Sequence, residues 1–164
     1  MTLVFSPKKV LSILVLSIGF WAVGVSALDK YQTEMLQYAF VIGGPTEVFI
    51  IEQESSLCKH RVGDHGTAFG CGQIHCEAAR VVLRRCPIHR LIYDNRFNIR
   101  VSAAYYTWCF NKTGEFGRAL ICYNKGLRYA RECRGRCIRD NQYVRHIEER
   151  MVAFYKFYEK NQGL

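Results

Sequence analysis

Residues 49–60 read FIIEQESSLCKH, and residues 70–74 read GCGQI. Pro45 opens the first stretch after Gly43 and Gly44. A proline suits the first helical position, where its missing N–H would have no partner anyway. Val48, Phe49, Ile50 and Ile51 then surround the axis, which predicts a helix over residues 45–55 buried on most sides. The β-branched residues also suit a strand, but the Pro45 start and the length favour the helix. The stretch thus predicts an apolar helix carrying Glu54 at its C-terminal end, followed by a glycine-bearing turn carrying Gln73.

Outward from there the chain reads as helix. Residues 28–41 predict a first helix, with Leu36, Tyr38, Ala39 and Phe40 among its apolar positions. Residues 58–74, with Gly63, Gly66, Gly70 and Gly72, predict a loop and hold any sheet there is. Helices are predicted over residues 75–83, 98–110, 116–123 and 143–158. The last places Val144, Ile147, Met151 and Phe154 at three- and four-residue steps. The expected fold class is a mostly α single domain held by disulfides.

Lys8 and Lys9 precede an uncharged apolar run over residues 10–27 that ends Val25-Ser26-Ala27. Residues 1–27 therefore read as a signal peptide or a retained signal anchor, leaving residues 28–164 as the working domain. Either reading exports the chain to a periplasmic or extracellular space; the anchored one tethers it to an inner membrane through residues 10–27. All eight cysteines lie beyond that segment, an even number in an exported chain, which predicts disulfides. No C-x-x-C pair occurs, so no metal site is expected. The formal charge of +9 becomes +7 when Lys8 and Lys9 are lost with the leader. A basic exported domain is drawn to polyanions such as cell wall or anionic lipid. The arginine-rich stretch over residues 129–151 interleaves acids and amides, so it reads as a solvated, disulfide-pinned face rather than a nucleic-acid groove.

Glycosidic cleavage needs a proton donor at the leaving oxygen, and a carboxyl group serves best when its pKa is raised toward the working pH. Partial burial and a helix C-terminus both push Glu54 that way. Gly70 and Gly72 allow a sharp turn close to a bound ring. Gln73 offers a donor and an acceptor suited to hydroxyl and N-acetyl groups. Tyr123 is placed to hydrogen-bond Glu54, and Asn124 to cap the helix end beside Gly126.

Four segments in order, IIEQES, AFGCGQI, NIRVSAAYY and ALICYNKG, resemble the successive signatures of the lytic transglycosylase and goose-type lysozyme superfamily. The resemblance covers residues 45–126. It implies a lysozyme-like fold and a lytic transglycosylase that needs no cofactor. In that reading Glu54 is the single general acid and base. Ser55 helps hold the glycan, and Gln73 lines the saccharide groove. Asn98 to Tyr105 packs beneath the site, Tyr123 sets its hydroxyl near the acid, Asn124 completes the last motif, and both Tyr123 and Asn124 are expected to bind substrate. The implied substrate is peptidoglycan, cut between N-acetylmuramic acid and N-acetylglucosamine with closure of a 1,6-anhydro ring. A secretion or pilus apparatus, or a phage lysis setting, would supply the context.

Cys71 in the turn and Cys122 before Tyr123 depart from the family pattern, as does His75, where goose-type lysozymes carry an aspartate. Asp64, Glu77 and Asp94 are the candidates for a second carboxylate. A hydrolytic lysozyme, either muramidase or endolysin, and a non-catalytic, basic wall-binding protein are the alternatives.

Overall fold

The computed structural model describes residues 29–160. The apolar segment at residues 10–27, read as leader or anchor, lies outside them. Among the described residues no helix is long and apolar enough to cross a membrane.

Helix α1 spans Lys30–Ser55. Asp29 caps it reciprocally: its carboxylate accepts from the Gln32 N–H at 2.7 Å, while the Gln32 side chain accepts from the Asp29 N–H. The helix is broken inside at Gly44, whose φ of 67° and ψ of −162° belong to glycine alone. Pro45 restarts it. The expected pair of helices therefore exists as one kinked rod. In its second half Val48, Phe49, Ile50 and Ile51 are all buried, so this half is enclosed on every side. Each such apolar side chain contributes about 1.5–3 kcal/mol by leaving water.

The segment after α1 holds a small antiparallel sheet of three two-residue strands, β1 (Val62–Gly63), β2 (Ala68–Phe69) and β3 (Ile74–His75). Val62 faces Phe69, and Phe69 faces Ile74. The sheet falls where it was expected. Helices α2 (Cys76–Leu83), α3 (Ile88–Tyr93), α4 (Asn95–Thr113), α5 (Phe116–Lys125), α6 (Leu127–Glu132), α7 (Arg136–Arg139) and α8 (Gln142–Lys160) follow. Helix α4 begins three residues earlier than its apolar run predicts, because Asp94 caps it by accepting from the Phe97 N–H at 2.9 Å. Helices α3, α6 and α7 were not anticipated; each is too short to carry a readable period.

Helix α4 is the central post, packed by α1, α2, α3 and α5, while α8 closes over α1 and α5. The core runs through Leu36, Ile50, Ile51, Ile74, Leu91, Ile99, Leu120, Ile121 and Ile147. The cysteines pair strictly with their successors: Cys58–Cys71, Cys76–Cys86, Cys109–Cys122 and Cys133–Cys137. Each closes a short loop, the pairing with the smallest entropic cost. Four disulfides in a domain of this size fit an oxidising compartment. The expected pinning of the arginine-rich stretch is the Cys133–Cys137 bond, with Arg131, Arg134, Arg136 and Arg139 exposed around it.

Candidate active site

The second half of α1 runs through the core and delivers Glu54 into a cleft of about 370 Å³. Glu54, Asp64, Gln73, His75, Tyr123 and Asn124 are among its walls. Helix α1 supplies the first residue, the 58–75 segment the next three, and the end of α5 the last two.

Glu54 is half-buried and accepts a hydrogen bond from the Tyr143 hydroxyl, on α8, at 2.7 Å. Burial lifts its carboxyl from 4.5 to about 7. The Tyr143 hydrogen bond opposes that shift, Asp64 adds to it, and Lys125 opposes it weakly. Helix α8 is latched to this end of α1 a second time: Arg150 donates to the Gln53 side chain at 2.8 Å and lies 3.4 Å from the Glu52 carboxylate.

The other anticipated residues divide. Ser55 does not line the cleft. It is fully buried, donates to the Ile51 carbonyl at 3.0 Å and accepts from the Cys58 N–H at 2.8 Å. A serine at the end of a buried helix turns its hydroxyl on unpaired backbone groups nearby. Gln73 lines the cleft, but its amide nitrogen is spent on the carbonyls of Gly70, at 2.8 Å, and His60, at 3.2 Å. It braces two loops and presents only its oxygen. Tyr123 reaches the cleft without bonding Glu54; it donates instead to the Gly72 carbonyl at 2.7 Å. Tyr143 occupies the role expected of Tyr123, since it is its hydroxyl that donates to Glu54. Asn124 does not cap the helix end. Its side chain is exposed in the cleft and makes no hydrogen bond among the described residues, so it is free for a ligand.

The GCGQI turn is held from beneath. Asn98, fully buried on α4, accepts from the Gly72 N–H at 2.8 Å and donates to the carbonyls of Phe69, at 2.7 Å, and Leu91, at 3.0 Å. The placement of the segment from Asn98 to Tyr105 under the site is thus as expected, and Tyr105 itself is core. Ser102, one helical turn beyond Asn98, was not anticipated; it lies 2.8 Å from the Tyr123 hydroxyl. A Cβ at Gly72 would lie 2.7 Å from that hydroxyl and from the Ser102 oxygen, so only glycine fits. The Cys58–Cys71 bond ties this turn covalently to the chain leaving Glu54.

Backbone strain concentrates here. Ser56, Leu57, Cys58, Asp64, His65 and Gln73 all adopt positive φ, at 51°, 62°, 66°, 45°, 54° and 46°. Each costs about 1 kcal/mol or more for a residue with a side chain, and such strain gathers where a site is over-determined by its surroundings.

Of the candidate second carboxylates, Asp64 alone lines the cleft, where it pairs with His75 at 3.0 Å. Glu77 is exposed on α2, and Asp94 is spent on capping α4 and pairing with Arg90. Among the described residues no cluster of three or more histidine, cysteine or acidic side chains is placed to hold a metal. A comparison of the chain with protein-family models, curated proteins and solved structures finds no match to any of them.

Proposed function

We propose that the domain is a lysozyme-like enzyme that cleaves the glycan strands of peptidoglycan, with Glu54 as the general acid. The observation that carries this is the setting of Glu54: a half-buried carboxyl in a cleft, raised by burial to about 7, with one oxygen held by Tyr143. Such a group is about half protonated at neutral pH, the state suited to donating a proton to a leaving oxygen. The cleft offers the Gln73 oxygen and the free Asn124 amide to sugar hydroxyl and N-acetyl groups.

Lytic transglycosylation is the reading favoured. Glu54 protonates the glycosidic oxygen between N-acetylmuramic acid and N-acetylglucosamine, and that C1–O bond breaks. The substrate's N-acetyl carbonyl stabilises C1. Glu54, now ionised, takes the C6 hydroxyl proton as the C6 oxygen bonds C1. The 1,6-anhydro ring closes and Glu54 is reprotonated, with no water or cofactor consumed. Asp64 favours a second reading, a hydrolytic lysozyme in which this second cleft carboxylate directs water to C1. The four disulfides support an exported setting, periplasmic or extracellular, and the basic charge suits approach toward an anionic wall.

Mass spectrometry of the products from purified peptidoglycan tests the choice. Anhydro-muramoyl ends, one water lighter than reducing ends, support transglycosylation; reducing ends assign the reaction to Glu54 with Asp64. No cleavage by the folded protein refutes both and leaves a non-catalytic wall-binding role.

A further inference from the structure

A second cleft, of about 430 Å³, has no lining residue in common with the one at Glu54. Its walls are Glu115, Arg118, Arg134, Gly135, Ile138 and Arg139. Arg118 stands near the start of α5, whereas Tyr123 and Asn124 stand near its end. Arg134 comes from the turn before α7, and Arg139 ends α7. Part of the arginine-rich stretch thus folds into a concavity rather than a flat solvated face.

Local structure brings these side chains together. The Cys133–Cys137 bond closes the turn that carries Arg134. Gly135 turns the chain inside that loop at φ 54° and ψ −112°, a conformation that favours glycine. A Cβ at Gly117 would lie 2.6 Å from Ile138 Cγ2, so the glycine lets Ile138 of α7 seat against α5.

The charges are not cancelled from within. Glu115 accepts from Arg118 Nε at 2.7 Å, which orients that guanidinium and leaves its two terminal nitrogens without a partner among the described residues. Arg134 and Arg139 are exposed, and neither side chain has an ion pair or hydrogen bond among the described residues. Three guanidiniums against one carboxylate leave two positive charges in excess. Gathering like charges in a concavity is unfavourable, and it focuses a field that an anion relieves.

A guanidinium fork fits a two-oxygen face, of carboxylate or of phosphate. A phosphomonoester carries about −1.5 to −2 at neutral pH and matches the excess, whereas a carboxylate carries a single charge. The volume falls in the range of sites that hold small organic molecules, roughly 300–1,000 Å³, and exceeds what a bare phosphate fills. Ile138 offers the attached body an apolar wall.

We propose that this cleft binds a phosphomonoester carried on a sugar or a lipid headgroup, with Arg118, Arg134 and Arg139 around the phosphate. The site is separate from Glu54 and does not depend on glycan cleavage.

Calorimetric titration of the full chain tests it, at low ionic strength, where exposed charges are least screened. Glucose 6-phosphate is the probe, with glucose and glucuronate as its uncharged and carboxylate counterparts. Saturable binding of one glucose 6-phosphate is expected, with glucuronate about tenfold weaker or more and glucose weaker still. Arg134→Gln and Arg139→Gln should each weaken the phosphate probe about tenfold or more, since each removes a charge-assisted pair. Both lie at exposed positions, and matching melting curves verify the fold. Arg128→Gln removes an exposed arginine on α6 that does not line the cleft, and should change binding less than about twofold. Absence of saturable binding, glucuronate bound as tightly as the phosphate, or an equal loss from Arg128→Gln overturns the proposal. Co-sedimentation with phosphatidylcholine vesicles containing phosphatidate distinguishes the two sources. Vesicle binding that both cleft variants abolish assigns the phosphate to a lipid. Saturable binding of the sugar phosphate without vesicle binding, or with vesicle binding that both variants retain, assigns it to a sugar.

Discussion

Replacing Tyr143 by Phe should move the alkaline limb of the pH profile upward by about one unit. The Tyr143 hydroxyl donates to Glu54 at 2.7 Å and is one of the two influences that draw the Glu54 pKa down from where burial alone would set it. A hydrogen bond to an ionised acceptor contributes about 1.5–3 kcal/mol, and to a neutral one about 0.5–1.5. Losing it therefore costs the ionised form about 1.4 kcal/mol more than the neutral form, equivalent to about one pKa unit. The sign is upward: without Tyr143, Glu54 keeps its proton beyond about 7. A general acid must be protonated in the free enzyme, so kcat/KM falls as pH rises through its pKa. The assay is solubilisation of purified peptidoglycan from about pH 5 to 9, with melting temperature checked at each pH. A limb that stays put, or moves toward acid, refutes the assignment of that hydrogen bond to Glu54.

Gly72→Ala should destabilise the fold by about 1–3 kcal/mol in denaturant titration, because its Cβ would press on Ser102 and Tyr123 at 2.7 Å. Removing the Cys58–Cys71 bond by double Ser substitution should cost about 3 kcal/mol and lower cleavage by loosening the turn beside Glu54; unchanged activity after verified loss of the bond would contradict the tie between turn and cleft. Stability should also fall with rising pH. Unfolded Glu47 loses its proton near 4.5 and folded Glu47 near 8, so between those values the unfolded chain binds fewer protons. Up to about 5 kcal/mol present at acid pH is lost across that window, and Glu47→Gln should flatten the curve of unfolding free energy against pH.

The fold was legible where the chain is periodic or punctuated. Pro45 and the all-round apolar run gave α1 its second half, and the spacing of Val144, Ile147 and Phe154 gave α8. The short helices were not legible, since four to six residues hold no period. At the site, Glu54 and the GCGQI turn announce themselves because an acid just after an apolar run and paired glycines are local signals. Tyr143 is not local: it reaches Glu54 across 89 residues, from a position one before the core residue Val144. Nothing in that helix distinguishes it from a packing tyrosine. The roles expected of Ser55 and Tyr123, and the capping expected of Asn124, were displaced for a related reason. Backbone groups and neighbouring hydroxyls claim Ser55 and Tyr123, while Asn124 is left facing the cleft. Two signals were present and passed over. Ser102 is a small polar residue inside an apolar helix, and Glu47 an acid within a buried run; polar residues there need partners.

The central claim is that Glu54 is the acid that breaks the glycan. Its most direct test is the rate of peptidoglycan cleavage by Glu54→Gln against the parent, at about pH 6, with matching circular dichroism and melting curves. The amide keeps the shape and the contact with Tyr143 but has no proton to give. A loss of about 100-fold or more is predicted; a folded Glu54→Gln protein that cleaves within a few-fold of the parent would contradict the account.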